Sequence, residues 1–361
     1  DPAVRQAEEK QLRASAERLR RFRPLAYCIG EEDSLTSYRA ELDLCFAPAT
    51  LAKFREHLKR KYHNDLAALN THWATRFADW DSVTPMTSDE ARVHGNFAPW
   101  AVHRTFMDDE WADIYRFYLD ILRDVDHPDV LMGTSGTQIP TPHDGQDWYK
   151  LMPHLNWLSS YTYGHQDEMH LHFAEGKPYI SAATGYGVSA DRARSLLWNR
   201  LFHGNAGAII FWWVAIQNPD LSFCQAGQDL GAVIGELRQG VGRLVFEADR
   251  QLDPVAVHYS MASMQASWIA TGGMEAYSGA LDAWWQALQS LGYQPQFISS
   301  RQIEQGVLTE RGYKALVMPR SLALSALEQA QIDRMVAAGG VVLGNDVKVG
   351  AYDGDLAPNP A

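Results

Sequence analysis

Residues 177–215 read KPYISAATGYGVSADRARSLLWNRLFHGNAGAIIFWWVA. Two short apolar segments, 177–185 and 207–215, have the composition of buried strands, and residues 189–204 between them carry apolar side chains at helical spacing. A strand, a helix and a second strand in this order predict a parallel pair joined by a crossover helix. This unit decides the fold class, because the same alternation continues on its N-terminal side.

Strand-like segments recur toward the N-terminus, at 25–30, 129–136 and 156–164, with helical patterns at 147–155 and 167–175. Strands that alternate with helices predict a parallel sheet with covered faces. Such α/β folds keep their sites at the carboxyl ends of the strands, and polar and aromatic residues stand there in this sequence. Helices are also predicted at 3–21, 48–62, 65–73 and 98–126.

A second, smaller alternation begins near residue 253 and indicates a doubly wound unit. Its predicted strands are 254–260, 293–299, 313–319 and 340–346, and its predicted helices are 278–292 and 325–340. The serine-rich segment 260–268 lacks the glycines of a nucleophile elbow and is interpreted as a loop. We therefore expect one domain over residues 1–250, a second over 251–350, and a tail or linker over 351–361.

Composition narrows the class of partner. Lys and Arg number 32 against 44 Asp and Glu, so the net charge of −12 argues against binding nucleic acid. No apolar run approaches the ~20 residues of a membrane helix, so no membrane partner is expected. The three cysteines, Cys28, Cys45 and Cys224, form no C-x-x-C pair. We expect neither a metal nor another cofactor.

Three consecutive acids, Glu31, Glu32 and Asp33, follow the strand predicted at 25–30. Neighbouring negative charges raise the pKa of a carboxyl group, and a general acid that works near neutral pH needs a raised pKa. The cluster is therefore interpreted as a candidate acid/base site. A solvated acidic loop, or a helix cap around Asp33, is the alternative.

A longer ordered pattern surrounds these acids. IGEEDSLT at 29–36 is followed at 45–85 by CFAPATLAKFREHLKRKYHNDLAALNTHWATRFADWDSVTP. Together they resemble the family 42 glycoside hydrolases, the β-galactosidase group, in which a strand ending in a catalytic Glu precedes a Cys-containing segment and two helices. The matching positions are Phe54, Arg55, Leu58, Lys61, Tyr62, Leu69, Asn70, Trp73, Trp80 and Pro85.

The resemblance implies a (β/α)8 TIM-type barrel followed by a flavodoxin-like domain. Segment 25–30 then corresponds to strand four of the barrel, and the later strands of the first alternation to strands five to eight. Five strands cannot close a barrel, so we expect an N-terminal segment to be removed or to exist as a separate chain, or else a half barrel capped by the first helix. A homo-oligomer, a trimer by resemblance, and a carbohydrate substrate are expected as partners.

The resemblance also implies hydrolysis of β-galactoside-like bonds by two carboxylates, with retention favoured over inversion. Glu32 matches the family's acid/base, with Glu31 as the alternative donor; Glu31 stands where the family usually has an Asn that binds the sugar 2-hydroxyl. The family's nucleophile, a Glu ending strand seven, has no acidic counterpart here, because Thr184 occupies the expected position. A catalytically inactive, sugar-binding relative is therefore the alternative.

Other acids are candidates for the second carboxylate. Glu168 and Asp167 follow strand six and rank above Asp147, which follows strand five; capping of a helix is the alternative role for Asp147 and Asp167. Aromatic residues at strand ends are candidate sugar platforms. They are Trp148, Tyr161, Tyr163, Tyr186, Trp212 and Trp213. Alternation along a strand allows only one of Trp212 and Trp213 to face inward.

Overall fold

The computed structural model describes residues 2–36, 40–136, 140–159, 165–174, 180–184, 189–211, 213–345 and 348–359. Within these residues a first sheet holds five strands, which pair in chain order and are all parallel. They are β1 (Ala26–Glu31), β2 (Leu131–Ser135), β3 (Trp157–Ser159), β4 (Ile180–Thr184) and β5 (Gly207–Phe211). Each predicted strand of the first alternation is confirmed, and together they have the arrangement of part of a (β/α) barrel.

Helices connect and cover these strands. Before β2 lie α1 (Pro2–Leu19), α2 (Pro48–Lys61), α3 (Leu66–Trp73), α4 (Ser88–His94) and α5 (Ala98–Val125). After β2 lie α6 (Trp148–Leu151), α7 (His165–Phe173), α8 (Ala190–Phe202), α9 (Gln225–Leu237) and α10 (Gly240–Glu247). Short 3-10 helices occur at Arg20–Phe22, Met152–His154 and Trp213–Ala215.

The register of the first sheet defines its two faces. Tyr27, Met132 and Leu158 lie on one face by register and are buried against the helices. Cys28 lies on the opposite face and is exposed. We call that opposite face the inner face, because in a barrel it is the side that lines the interior.

In the described part of the chain the second sheet has four parallel strands in the order β7-β6-β8-β9. They are β6 (Val255–Tyr259), β7 (Gln296–Ser299), β8 (Ala315–Met318) and β9 (Val341–Gly344). Helices α11 (Met261–Thr271), α12 (Glu275–Ser290), α13 (Ser300–Glu304), α14 (Val307–Glu310) and α15 (Ala326–Ala337) connect them. The order is doubly wound, as predicted, while a specifically flavodoxin-like domain stays a prediction.

One expectation about this half is wrong. Segment 260–268 is not a loop, because Ser260 caps the N-terminus of α11 by accepting a hydrogen bond from the Ser263 amide. Residues 351–359, predicted as part of a tail or linker, pack against the rest of the chain. Leu356 is fully buried, and Asp353 pairs with His72 at 2.7 Å.

One hydrophobic cluster contains residues of both sheets. Met132 and Leu158 of the first sheet belong to the same cluster as Val257 and Phe297 of the second. The boundary predicted near residue 250 separates the two sheets in sequence but not in the core. Among the helices that the structure describes, none combines the length and apolar character that crossing a membrane requires.

Candidate active site at the end of strand β1

A bulge at the end of β1 determines where Glu31 points. Cys28 pairs with Gly133, and Glu31 pairs with Ser135, so three steps along β1 match two steps along β2. Because Gly133 and Ser135 lie on the same face, Glu31 shares the inner face with Cys28. The side chain of Glu31 is exposed there.

Glu32 has an unusual backbone conformation. Its φ is +51°, in the left-handed region that a residue with a Cβ seldom adopts. Its amide still donates to the carbonyl of Ser135 at 2.8 Å, so the pairing with β2 continues through this turn. A non-glycine residue keeps this conformation only where its surroundings hold it.

Asp33 forms several of the hydrogen bonds that fix this turn. Its carboxylate accepts hydrogen bonds from the Thr134 hydroxyl, at 2.7 Å, and from the Tyr115 hydroxyl. Its carbonyl accepts from the Gln146 side-chain amide at 2.8 Å. Burial, and then the negative charge of Asp33, raise the pKa of Tyr115 far above its ordinary value, so this phenol remains a donor. Asp33 is therefore fixed by residues from α5, β2 and the loop after β2.

The loop after β2 lies against the loop after β1. The amide of Leu35 donates to the carbonyl of Asp144 at 3.0 Å, and the hydroxyl of Thr36 donates to the Asp144 carboxylate. Asp144 is fully buried, and within the described residues its second carboxylate oxygen has no hydrogen-bond partner. The carboxyl ends of β1 and β2 thus meet at one edge of the sheet, as the parallel arrangement requires.

Asp147 and Trp148 do not line this edge. Asp147 caps α6 by accepting from the Tyr149 amide at 3.1 Å, and it also accepts from the Tyr259 hydroxyl of the second sheet at 3.3 Å. Burial raises its pKa, while Lys150 opposes that rise. Trp148 has no exposed surface and lies in the core cluster, so its assignment as a sugar platform is wrong for this conformation.

Asp167 and Glu168 lie in the first turn of α7 and are buried. Asp167 lies 3.5 Å from Arg200, and Glu168 lies 2.8 Å from Arg250 and in contact with His203. His203 lies between α8 and the start of β5, which is the edge of the sheet opposite to the strand ends. The expectation that Glu168 reaches the strand ends is therefore wrong, because its contacts are on the other side.

Of the remaining predicted residues, only Thr184 and Trp213 lie among those that the structure describes. Thr184 is the last residue of β4 and pairs with Phe211 of β5. Trp213 follows β5 in a 3-10 helix with 60% of its surface exposed, so strand alternation does not govern it. Tyr161, Tyr163, Tyr186 and Trp212 lie outside the described residues.

Sequence reasoning missed four residues that build this edge: Thr134, Asp144, Gln146 and Tyr115. Three of them lie on β2 or in the loop after it, so a search for every polar residue near a strand end would have found them. Tyr115 is different. It lies 82 positions from Asp33 and on a helix, and no local signal in the sequence joins the two.

Comparison with known proteins finds similarity in sequence and in fold. Residues 31–190 match the family model described as β-galactosidase of glycoside hydrolase family 42. The β-galactosidase Pbg of Clostridium perfringens is 30% identical over 129 residues, which cover 34% of this chain and 18% of that protein.

Two solved structures share the fold. Gan42B, a family 42 β-galactosidase from G. stearothermophilus, superposes with a TM-score of 0.78 at 18% identity, covering 99% of this chain and 57% of that one. The apo exo-carrageenase of family 42 from Bacteroides ovatus gives 0.73 at 13%, covering 100% and 54%. These likenesses confirm the barrel-type fold. The chain spans little more than half of each structure and about a fifth of the curated relative.

Proposed function

We propose that this chain, a relative of the family 42 glycoside hydrolases, hydrolyses β-galactoside-like O-glycosidic bonds with an acid/base carboxylate at the end of β1. The observation that carries the proposal is the adjacent pair Glu31 and Glu32 at the carboxyl end of a parallel strand, within the segment that matches the family model. Curated relatives that match about a third of this chain are named β-galactosidases.

Glu32 is the proposed proton donor, because it aligns with the acid/base position of the family. The register of β1 favours Glu31 as the alternative, since it places that side chain on the inner face. A donor protonates the oxygen of the leaving group, and a second carboxylate attacks the sugar or activates water. Retention is proposed over inversion on the resemblance alone.

We propose no residue as the second carboxylate. Glu168 and Asp167 are paired with arginines, and Asp147 caps a helix. The end of β4 carries Thr184, whose hydroxyl would need its own base to act as a nucleophile. This observation favours a second candidate function, a sugar-binding relative that does not hydrolyse its ligand.

Further partners are proposed with the enzyme. In the described residues β1 and β5 are the edge strands of the first sheet, and strands on both sides would be needed to close a barrel. We propose that a separate polypeptide segment supplies them and that the protein is a homo-oligomer, a trimer by resemblance. Native mass spectrometry tests both, since a monomer of 40.5 kDa with no bound segment would contradict them.

Hydrolysis and binding experiments separate the two candidate functions. A panel of nitrophenyl glycosides would be incubated with the wild-type chain, Glu32→Gln, Glu31→Gln and the matched control Glu310→Gln, an exposed residue of the second unit. We expect release of nitrophenol from the β-galactoside. We also expect a loss of about 10²–10⁴-fold in the variant that lacks the acid/base, and no loss in Glu310→Gln.

Calorimetric titration with galactose measures sugar binding independently of hydrolysis. Hydrolysis confirms the enzyme. Binding without hydrolysis of any glycoside supports the sugar-binding relative and contradicts the enzyme. The absence of both hydrolysis and binding contradicts both functions.

A further inference from the structure

We infer that Asp33 is a positioning residue that clamps the end of β1, so that Glu31 stays on the inner face and Glu32 keeps its left-handed backbone. The inference rests on the proposed function, because it assigns Asp33 a role in the site that Glu31 and Glu32 form. Asp33 itself acts through the backbone of its neighbours and does not touch a substrate.

The first support is the direction of the Asp33 side chain. It turns away from the inner face toward Thr134 and Tyr115, which are fully buried or nearly so. Tyr115 belongs to α5 and Thr134 to β2, so the carboxylate ties the turn to two separate elements. The Thr134 hydroxyl also lies 3.0 Å from the Gly30 carbonyl, inside the bulge.

The second support is the lack of space at Gly30. A Cβ placed on this residue would lie 2.8 Å from the Asp33 carboxylate and 2.9 Å from its Cγ. The carboxylate folds back over the bulge and fills the space that any other residue at position 30 would need. Gly30 and Asp33 therefore depend on each other, and displacing Asp33 would break its bonds to Tyr115 and Thr134.

Loss of the bulge would change the positions of Glu31 and Glu32. A β-bulge changes which face a following side chain occupies, so losing the bulge would move Glu31 off the inner face. A displacement of about 1 Å at a reacting group can cost roughly 10²-fold in rate. The clamp thus controls the orientation and the surroundings of both glutamates.

The test uses variants that keep every charge. Tyr115→Phe and the double variant Tyr115→Phe/Thr134→Val remove the donors to Asp33 and leave all three acids in place. In Gly30→Ala the added methyl group would collide with the Asp33 carboxylate and displace it. The matched control is Tyr27→Phe. Tyr27 donates to Asp126 at 2.8 Å, which is another tyrosine–aspartate bond on the same strand but at its opposite end.

The kinetic readouts are kcat, KM and the pH profile of nitrophenyl β-galactoside hydrolysis. We expect the double variant and Gly30→Ala to lower kcat by about 10–100-fold with KM within about twofold. We also expect a displaced acid limb of the pH profile, and no change in Tyr27→Phe. A double variant with wild-type kcat and pH profile, or a control that loses as much, would overturn the inference.

A second readout is independent of activity. The pH titration of the Glu31 and Glu32 carboxyl carbons, followed by NMR with labelled glutamate, should shift in Tyr115→Phe and stay unchanged in Tyr27→Phe. An inactive wild-type chain with this pattern would contradict the proposed function and support the clamp. Unchanged titrations in Tyr115→Phe would overturn the clamp whatever the activity.

Discussion

Glu32 is held in a backbone conformation that glycine adopts at little cost. For a residue with a Cβ, the left-handed region costs roughly 1 kcal/mol or more. Such strain is kept only where the surroundings enforce it, and in a site it accompanies function. The hydrogen bond from the Glu32 amide to Ser135 and the clamp at Asp33 are the enforcing contacts.

We expect Glu32→Gly to have a larger free energy of unfolding than Glu32→Ala, by about 0.5–1 kcal/mol, because both lose the carboxylate and only one relieves the backbone. Urea denaturation measures the difference. The matched control is Ala74→Gly, since Ala74 is exposed at the C-cap of α3 with φ of +54°. If glycine raises the free energy of unfolding at position 74 but not at position 32, the backbone of Glu32 is not strained.

At this scale the sequence predicted the acids better than their surroundings. Glu31 and Glu32 lie at a strand end, as their position after an apolar run indicated. The bulge before Glu31 was not predictable, because the residues that contact it or the turn after it, Thr134 and Tyr115, are distant in sequence. The predicted roles of Glu168 and Trp148 were wrong for the same reason, since the residues that contact them come from other elements.

Strands β2 and β3 approach each other closely at Gly133. A Cβ on Gly133 would lie 2.3 Å from the Trp157 ring and 2.3 Å from its carbonyl oxygen. The pairing of these strands therefore requires glycine at this position, and Trp157 fills the space that a side chain would occupy.

We expect Gly133→Ala to lower the free energy of unfolding by about 2–3 kcal/mol, because the backbone of a buried strand must move. The matched control is Gly231→Ala in α9, where nothing lies within 4 Å of the added methyl group. That variant should gain about 0.5–1 kcal/mol from helix propensity. Equal effects of the two substitutions in urea denaturation would show that Gly133 is not constrained.

Elements with strong periodicity were predicted well, and short capped helices were missed. The helix expected at 98–126 spans Ala98–Val125. Helix α4 was overlooked, although Thr87 and Glu90 form a capping box that the sequence shows. Helix α11 was overlooked because its apolar residues surround it on all sides, which leaves no periodic pattern to detect.

At the scale of the whole molecule, buried histidines make stability depend on pH. The Arg104 guanidinium lies 2.8 Å from Nδ1 of His103, so that nitrogen must accept. Burial, and then Arg104, lower the pKa of His103 to about 3 and that of His143 to about 4. In the unfolded chain both titrate near 6.5. Below that pH the unfolded state binds protons that the folded state does not bind, so stability falls as the pH falls.

Each of these histidines should cost about 2 kcal/mol of unfolding free energy between pH 7 and pH 5. Denaturation of wild type, His143→Asn and the exposed control His127→Asn at both pH values measures this. The loss should shrink by about 2 kcal/mol in His143→Asn and stay as in wild type in His127→Asn. A loss that is the same in all three chains would contradict the assignment.

The parallel character of both sheets followed from the sequence, because strands that alternate with helices form parallel sheets. The packing between the two sheets did not follow from the sequence. Residues 351–359 lack any periodic signal, yet Leu356 is buried and Asp353 bonds to His72, 281 positions away. Contacts of that separation are set by the tertiary fold and are not visible in a local pattern.

The end of β1 carries the proposed proton donor of a glycosidase. The most direct test is the ratio of kcat/KM for lactose and for dinitrophenyl β-galactoside in wild type and in Glu31→Gln and Glu32→Gln. Proton donation matters most for a poor leaving group. We predict that one variant loses at least about 10²-fold more on lactose than on the dinitrophenyl substrate. Equal losses on both substrates, or none in either variant, would contradict the claim.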